Sequence, residues 1–206
     1  MNFINAVKKP FQDIKKLVIG IIIMLIPIVN LIGLGYFLRI AKNASKKINK
    51  MPEWNDPIDL FVKGLIAFII SLIYAIPVLL LALVLIGTSI FSLTALNLTN
   101  NLITILSTAG LSLIVLVIVS AIISIISLCA LIRYAIKENF GSAFEFSSII
   151  KIAFSGEFLA AWFVSMIYLL AVTLILSFIP FIGIPIATFI SGITIYTLLA
   201  EAYKKA

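Results

Sequence analysis

The chain has no histidine and a single cysteine, and each scarcity removes whole classes of chemistry. Without histidine, neither a Ser-His-Asp nor a Cys-His catalytic arrangement can form, and a zinc site held by imidazole is excluded as well. Cys129 stands alone in an apolar run, so the chain can form neither an internal disulfide nor a thiolate metal cluster. We therefore expect no catalytic residue, no metal ion and no cofactor.

Charged residues are also scarce. Of the 206 residues 11% are charged, whereas 63% are hydrophobic and the mean hydropathy is +1.28. About a quarter of the residues of a soluble domain are charged, and a soluble chain of this length could not hide so much apolar surface from water. The composition predicts one membrane-embedded domain, residues 1–206, with the lipid bilayer as its partner.

The net charge of +7 does not indicate a nucleic-acid partner. Lys and Arg flank the apolar runs instead of forming a stripe with interleaved aromatic residues. Basic residues beside apolar runs are typical of loops on the cytoplasmic side, next to anionic lipid. Arg39 and Arg133 stand at the cytoplasmic ends of two such runs. They are candidates for contact with lipid phosphate, and snorkelling end charges are the alternative interpretation.

Five apolar stretches are long enough for a helix that crosses the hydrocarbon core, which takes about 20 residues. None of them contains Asp, Glu, Lys or Arg; they cover residues 17–38, 65–93, 102–132, 158–178 and 181–199. The predicted fold is an all-α, polytopic transmembrane helical bundle of five to six membrane segments with short amphipathic interfacial helices. The third stretch is long for one crossing and should tilt or project beyond the bilayer.

The connections between these segments predict the orientation of the protein. Basic residues collect after the first and third segments, whereas the connections at 94–101 and 180–185 carry no charge. The positive-inside rule therefore assigns the basic loops to the cytoplasm, and Lys204 and Lys205 assign the C-terminus to the same side. The expected location is the cell membrane, with several crossings.

Two paths remain open for the first segment. A single crossing would leave the four lysines of residues 1–16 outside, against the charge rule. Pro27 weakens a continuous helix, and a chain that turns back near residues 26–30 would keep both flanks in the cytoplasm. We favour such a re-entrant or kinked hairpin over one kinked span with a basic exterior tail.

Short polar elbows precede the second and fourth segments. In the first elbow, Asp56 suits a helix N-cap and Pro57 suits the first helical position. In the second elbow, Ser142 and Glu145 have the spacing of a capping box. The residues after Glu145 predict a short amphipathic helix that lies in the plane of the membrane interface.

The regions around the two elbows resemble each other, at about residues 39–80 and 131–172. Glu53-Trp54 and Gly64 in the first region are echoed by Glu145-Phe146 and Gly156 in the second. Both regions start at a basic helix end, pass through an elbow and enter an apolar segment. This pattern predicts an internal duplication, and chance similarity between apolar helices is the alternative.

Three carboxylates cluster in and after the first elbow, at Glu53, Asp56 and Asp59. Such a group can hold a metal ion or supply a general base. Helix capping, together with pairing to Lys50 and Lys63, explains the same residues, because two of the three stand where caps belong. We interpret the cluster as structural.

Small residues recur on one face of two segments, where they allow helices to approach closely. They are Ser120, Ser124 and Ser127 in the third segment and Gly183, Ala187 and Ser191 in the fifth. A polar pore lining is the alternative, although a water-filled path normally also shows amides or charges. Asn97, in an Asn-Leu-Thr triplet of a predicted outside loop, is a candidate glycosylation site.

Several short motifs stand out along the chain. They are Gly35-Tyr36 followed by Arg39, Pro52-Glu53-Trp54, Leu60-Phe61-Val62-Lys63-Gly64, and Phe140-Gly141 with Ala143-Phe144. Together they resemble an uncharacterised multi-pass membrane family, a domain of unknown function common in archaea, in which the Pro-Glu-Trp elbow after the first hydrophobic segment is most distinctive. The resemblance covers nearly the whole chain and implies no activity, substrate or catalytic residue.

The functional expectation is a non-enzymatic membrane protein that scaffolds the bilayer or a partner, as a homo-oligomer or with another membrane protein. The alternative is a permease or lipid-handling transporter for an uncharged or lipophilic solute. Paired Ile-Pro breaks at residues 26–27 and 179–180 favour this alternative, because transporters place such breaks around a midplane site. An enzyme acting on lipid is the third hypothesis.

Overall fold

The computed structural model describes residues 3–95 and 102–206, with their side chains except at 89, 91–95 and 102–109. Within these ranges the chain forms helices and no strand, so the all-α prediction is confirmed. Two 3-10 turns, Lys9–Gln12 and Phe140–Phe144, follow α1 and α5. The α-helices are α1 Phe3–Lys8, α2 Ile14–Leu25, α3 Asn30–Ser45, α4 Pro57–Ala95, α5 Leu102–Lys137, α6 Phe146–Ala153, α7 Gly156–Leu176 and α8 Gly183–Tyr203.

Four of these helices, α4, α5, α7 and α8, are long and apolar enough to cross a membrane. They overlap the second to fifth predicted segments. At about 1.5 Å per residue, the 39 residues of α4 span about 58 Å and the 36 residues of α5 about 54 Å. The 21 residues of α7, and the 21 of α8, span about 32 Å, close to the roughly 30 Å of the hydrocarbon core.

The first predicted segment is a hairpin of two short helices. α2 and α3 are separated by residues 26–29, where the residue before Pro27 is extended and Ile28 has a positive φ of 72°. The chain reverses here, because Lys16 near the start of α2 donates a hydrogen bond to the carbonyl of Met51, beyond the end of α3, at 3.2 Å. The hairpin path is confirmed, and a single kinked span is wrong.

α8 is the central helix of the bundle. In its apolar 18-residue stretch 72% of the residues are buried, compared with 11% in the corresponding stretches of α4 and α7. α8 packs against α3, α7 and α2, while α4 packs on α3 and α5. α3 and α8 therefore form the interior, and the outer helices leave most of their side chains uncovered by protein.

An aromatic cluster joins α8 to the first elbow. The ring centroid of Phe189 lies 5.9 Å from that of Tyr36 and 6.0 Å from that of Trp54. Gly20 on α2 makes room for this ring, because a Cβ there would overlap Phe189. The start of the hairpin, the first elbow and the centre of α8 are consequently packed as one unit.

The second elbow forms the predicted short helix, α6, but its cap differs from the prediction. Glu145 is the N-cap residue of α6 and makes no side-chain cap bond. Ser142 belongs to the preceding 3-10 turn, where its hydroxyl donates to the carbonyl of Asn139 at 2.6 Å. The capping-box prediction is wrong because the Glu145 carboxylate instead accepts a hydrogen bond from Arg133.

The two regions with similar sequences pack differently. In the first, α3 and α4 approach so closely that a Cβ on Gly35 would overlap the carbonyl of Leu60. In the second, α5 and α7 share no comparable packing within the described ranges, and α7 packs on α8 instead. The duplication of residues 39–80 and 131–172 therefore stays a prediction about sequence, without a matching pair of packed helices.

Candidate functional site

Charged side chains meet at one end of the bundle, which we call the basic end. Ion pairs and hydrogen bonds between them join segments that are far apart in sequence. The basic end comprises residues 9–16, the end of α3, the first elbow (46–56), the start of α4, the end of α5, the second elbow (138–155) and the end of α8.

The first elbow is fastened to α2 by a charged residue and an aromatic stack. The Lys16 ammonium pairs with the Glu53 carboxylate at 2.5 Å, and this hydrogen bond raises the pKa of Lys16. The indole N–H of Trp54 donates to the Lys16 carbonyl at 3.3 Å, and its ring stacks on Tyr36 with centroids 3.9 Å apart. Tyr36 in turn donates its hydroxyl to the carbonyl of Pro52 at 2.9 Å. The Pro-Glu-Trp motif is thus the part of the elbow that binds the hairpin.

Arg39, a predicted lipid-phosphate contact, holds the other half of the first elbow. Its guanidinium donates to the carbonyls of Glu53 and Asn55 at 3.2 and 3.0 Å and pairs with the Asp59 carboxylate at 3.0 Å. Asp59 also pairs with Lys63, one turn further along α4, at 3.0 Å. The side chain of Arg39 remains 21% exposed, so these contacts do not bury it completely.

Arg133, the second predicted lipid-phosphate contact, is buried and fastens the second elbow. It pairs with Glu145 and donates to the hydroxyl of Tyr203 at 2.7 Å, so it connects α5, α6 and the end of α8. Lys137 also pairs with Glu145, at 3.1 Å. The hydrogen bond from Arg133 holds the pKa of the exposed Glu145 carboxyl below its ordinary value.

A cleft of about 290 Å³ opens between α3, α4 and α5 around Glu138. The Glu138 carboxylate pairs with Lys42 at 2.5 Å and with Lys63 at 3.1 Å. The hydrogen bond from Lys42 is the main reason why the pKa of Glu138 lies below its ordinary value. Three of the four cations that line this cleft, Arg39, Lys42 and Lys63, therefore already have a carboxylate partner, either Glu138 or Asp59.

A second cleft, which we call the Lys9 cleft, opens between the N-terminal segment, the first elbow and the end of α8. Its volume is about 520 Å³, and its charged lining residues are Lys9, Lys47, Glu201, Lys204 and Lys205. Lys9 is 0% exposed, and its ammonium group has no hydrogen-bond partner within the described structure. Burial lowers the pKa of Lys9 to about 8, against the opposite effect of Glu201.

Sequence reasoning did not single out Lys9. Lys8 and Lys9 are neighbours in a polar stretch, yet Lys8 is exposed and Lys9 is buried. The only signal in the sequence is spacing: Ala6 stands three residues before Lys9, which places both on one helical face, and the structure buries both. The partner of that face is α8, where Thr194 reaches the Ala6 carbonyl at 3.4 Å, and no local pattern identifies this partner.

The three carboxylates in and after the first elbow do not converge on one site. Glu53 pairs with Lys16, whereas Asp59 pairs with Arg39 and Lys63. In the described part of the chain, no three His, Cys, Asp or Glu side chains form a group that could hold a metal ion. The expected pairing of the cluster with Lys63 is confirmed, and Asp59 is the carboxylate that makes it. The expected partner Lys50 was wrong, because the reversal of the α2–α3 hairpin brings a distant lysine to Glu53.

The predicted small residues occupy two kinds of environment. Ser120, Ser124 and Ser127 are partly buried on α5, and the hydroxyl of Ser124 donates to the carbonyl of Ala121 in its own helix at 2.9 Å. Their role in helix packing stays a prediction. Asn97, the candidate glycosylation site, lies outside the described residues.

The small residues of α8 lie where helices approach each other. A Cβ on Gly183 would overlap the carbonyl of Leu176 at the end of α7. Ala187 and Ser191 are buried, and within the described structure the Ser191 hydroxyl has no hydrogen-bond partner. This environment suits close packing between helices and offers no continuous polar surface.

This molecule belongs to the class of helical integral membrane proteins. It has four long apolar helices, one of which, α8, is the interior helix with small residues, and a charged end. Residues 18–181 match the family described as protein of unknown function, DUF4013, and the chain belongs to that family. No curated protein and no solved structure matches the chain.

Proposed function

We propose that this chain is a non-enzymatic scaffold of the cell membrane that self-associates through α4. The proposal is carried by one observation, a stripe of exposed Leu and Ile side chains that we call the α4 seam. All members of the seam are exposed large hydrophobic residues; they are Leu65, Ile69, Leu72, Ile76, Leu79, Leu83, Ile86 and Ile90.

The spacing of the α4 seam favours another helix as its partner. Successive members are alternately four and three residues apart. This heptad spacing, with a period of 3.5 residues, is the pattern of helices that pack knobs into holes in a left-handed pair. A second copy of the chain offers a seam of the same length and period, which is the self-complementarity that a twofold interface requires.

The length of α4 supports the same partner. Residues 64–95 carry no charge and span about 48 Å, whereas the hydrocarbon core is about 30 Å thick. Fitting 48 Å into 30 Å requires a tilt of about 50°, beyond the usual range of about 0–40°. An α4 helix of equal length from a second copy would cover the part of the seam that hydrocarbon does not reach.

The basic end would give such an assembly a rigid cytoplasmic face. We infer this orientation, with the C-terminus in the cytoplasm, from the positive-inside rule. Rigidity follows because Arg39 and Arg133 each bind an elbow within their own chain. Arg39 is the more exposed of the two and remains available to contact lipid phosphate as well.

Disulfide cross-linking in native membranes tests the α4 seam. In a Cys129→Ala background, Leu83→Cys places a thiol on the seam at a residue that is 66% exposed. Val84→Cys is the matched control, at the same depth and 61% exposed, but rotated by about 100° around the helix. We expect a covalent dimer for Leu83→Cys and little or none for Val84→Cys.

Two outcomes would contradict self-association through this seam. One is an equal yield of dimer from both cysteine positions, which would indicate random collision. The other is a strictly monomeric protein in nanodiscs made from native lipid, measured by light scattering or mass photometry.

A lipid-handling transporter is the second candidate, favoured by the α2–α3 turn. The 12 residues of α2 span about 18 Å, so the turn lies near the bilayer midplane if α2 starts at the interface. Pro27 and Asn30 are exposed at this turn. Reconstitution with fluorescent phospholipid and external dithionite distinguishes the candidates: a scaffold leaves about half of the label protected, whereas a scramblase exposes nearly all of it.

A further inference from the structure

We propose that the Lys9 cleft binds a phosphate group, carried by a lipid headgroup of the adjoining leaflet or by a soluble anion. This inference is independent of self-association through α4, since the cleft lies at the basic end and is formed by one chain.

Lys9 lines the cleft, and its ammonium group lacks a hydrogen-bond acceptor although Glu201 attracts its charge. Its ammonium group has three N–H donors, is completely buried, and finds no acceptor in the described structure. A buried charged donor without a partner is costly, and an acceptor in the cleft would remove that cost. Because the pKa of Lys9 is about 8, the group is charged at neutral pH and can attract an anion.

The charge of the cleft favours an anion over a cation. Four lysines line it, Lys9, Lys47, Lys204 and Lys205, against the single carboxylate of Glu201. α3 and α8 both end at this cleft, so their terminal carbonyls add partial negative charge. Lys47, Lys204 and Lys205 stand at those helix ends and offset this partial negative charge. Lys9 belongs to neither helix and is attracted by Glu201, so the lining as a whole keeps an excess of positive charge.

The donors of the cleft approach from several directions, as a phosphate requires. Lys9 comes from the N-terminal segment, Lys47 from the first elbow and Lys205 from the end of α8, and Asn5 and Asn49 also line the cleft. Phosphate oxygens accept several charge-assisted hydrogen bonds at once. A volume of about 520 Å³ has room for a headgroup in addition to the phosphate.

The surroundings of Lys9 favour a lipid as the source of the phosphate. Large hydrophobic side chains are exposed on both sides of it, at Phe3, Ile4, Phe11 and Ile14. An amphipathic segment of this kind lies in the interface, with its apolar side chains among the acyl chains. The cleft would then stand at the level of the phospholipid headgroups.

Native mass spectrometry of the full chain in neutral detergent tests the proposal with three probes: dioleoylphosphatidylglycerol, dioleoylphosphatidylcholine and inorganic phosphate. We expect phosphatidylglycerol to bind with a dissociation constant at least tenfold higher in Lys9→Met than in the natural chain. Phosphatidylcholine should bind more weakly than phosphatidylglycerol, because its choline is repelled by the lysines. Lys50→Met removes the same charge from the first elbow outside the cleft and should change binding less than twofold.

A second variant keeps the test independent of any folding defect in Lys9→Met, and circular dichroism reports folding for each protein. The double variant Lys204→Met, Lys205→Met should weaken binding three- to tenfold. If phosphate binds in a Lys9-dependent manner and phosphatidylglycerol does not, the site stands and its ligand is a soluble anion. If Lys9→Met and Lys50→Met weaken binding equally, or if neither probe depends on Lys9, the proposal is overturned in favour of diffuse attraction to the basic end.

Discussion

α4 and α8 are both apolar helices of one bundle, yet the more apolar of the two is the less buried. Only 11% of the apolar stretch of α4 is buried by protein, compared with 72% for α8. In water the more apolar helix would occupy the core. In a bilayer, lipid covers apolar side chains as well as protein does, so burial is decided by packing. Hydropathy in this protein therefore reports contact with lipid and not position in the core.

The interior position of α8 explains why it contains polar residues. Thr194 and Thr197 are buried and donate their hydroxyls to carbonyls one turn earlier in the same helix, at 3.1 and 2.7 Å. Such bonds satisfy a hydroxyl within its own helix, and the Thr194 hydroxyl also reaches the Ala6 carbonyl of α1. A comparable residue on the outer face of α4 would face hydrocarbon, where Leu and Ile are the more favourable side chains.

The largest expected effect sharpens this contrast between core and lipid contact. Phe189→Ala on α8 removes a fully buried ring that packs on Tyr36 and Trp54. We expect the free energy of unfolding in mixed detergent micelles to fall by about 3–5 kcal/mol. Phe163→Ala on α7, where the ring is 61% exposed, is the matched control and should cost less than about 0.5 kcal/mol. Equal losses at both positions would show that α8 is not the packed centre.

A smaller effect on the free energy of unfolding comes from the buried charge of Lys9 beside α8. It is measured as a change in this free energy with pH. The pKa of Lys9 is about 8 in the folded chain and 10.5 in the unfolded chain. Below pH 8 both states are protonated, and the folded state bears the full cost of the buried charge. Between pH 8 and 10.5 only the folded state loses the proton, so stability rises with pH.

The corresponding measurement compares the natural chain with Lys9→Met, in phosphate-free buffer and neutral detergent. The natural chain should gain up to about 3 kcal/mol between pH 7.5 and 10.5 relative to the variant. Lys9→Met should therefore be the more stable protein at pH 7.5, and the difference should vanish at high pH. A difference that is constant across this range would mean that Lys9 does not titrate in the cleft.

The smallest expected effect concerns Ser191, a buried hydroxyl on α8 without a partner in the described structure. Ser191→Ala removes the unsatisfied group and changes the volume little, so we expect a gain in unfolding free energy of about 0.5–1 kcal/mol. Thr197→Val is the control, because its hydroxyl is satisfied within the helix. Loss of stability in Ser191→Ala would mean that the hydroxyl binds water or a partner in the folded protein.

Local patterns predicted most of the helices of this fold. A run of apolar residues without charge is sufficient for a helix in lipid, because every backbone hydrogen bond is made inside the segment. Pro27 and Pro57 predicted a break and a helix start, since proline restricts its own backbone and that of its neighbour. The same reasoning failed for the capping box of Ser142 and Glu145. The spacing was suitable, but Glu145 accepts a hydrogen bond from Arg133 and Ser142 donates to Asn139.

The candidate site was predictable only in part. Arg39 and Arg133 stood out as charges at helix ends, and both occupy the basic end. Their partners were not predictable, because a carboxylate in an elbow can reach any cation that the fold brings near. Glu53 pairs with Lys16 instead of Lys50 for this reason. The Lys9 cleft was missed because its walls come from three separate parts of the chain.

The sequence by itself determined that this chain is embedded in a membrane, where most of its helices lie and which end is charged. These properties depend on the length of each apolar run and on the charges beside it, because long apolar runs enter the lipid and charged residues stay in water. Only the tertiary structure decided that α8 is the interior helix, that the first segment folds back against the elbow, and that Lys9 is buried while Lys8 is exposed. Each of these three features depends on which helices and loops pack together. The residues in contact are far apart in the sequence, so no local pattern predicts them.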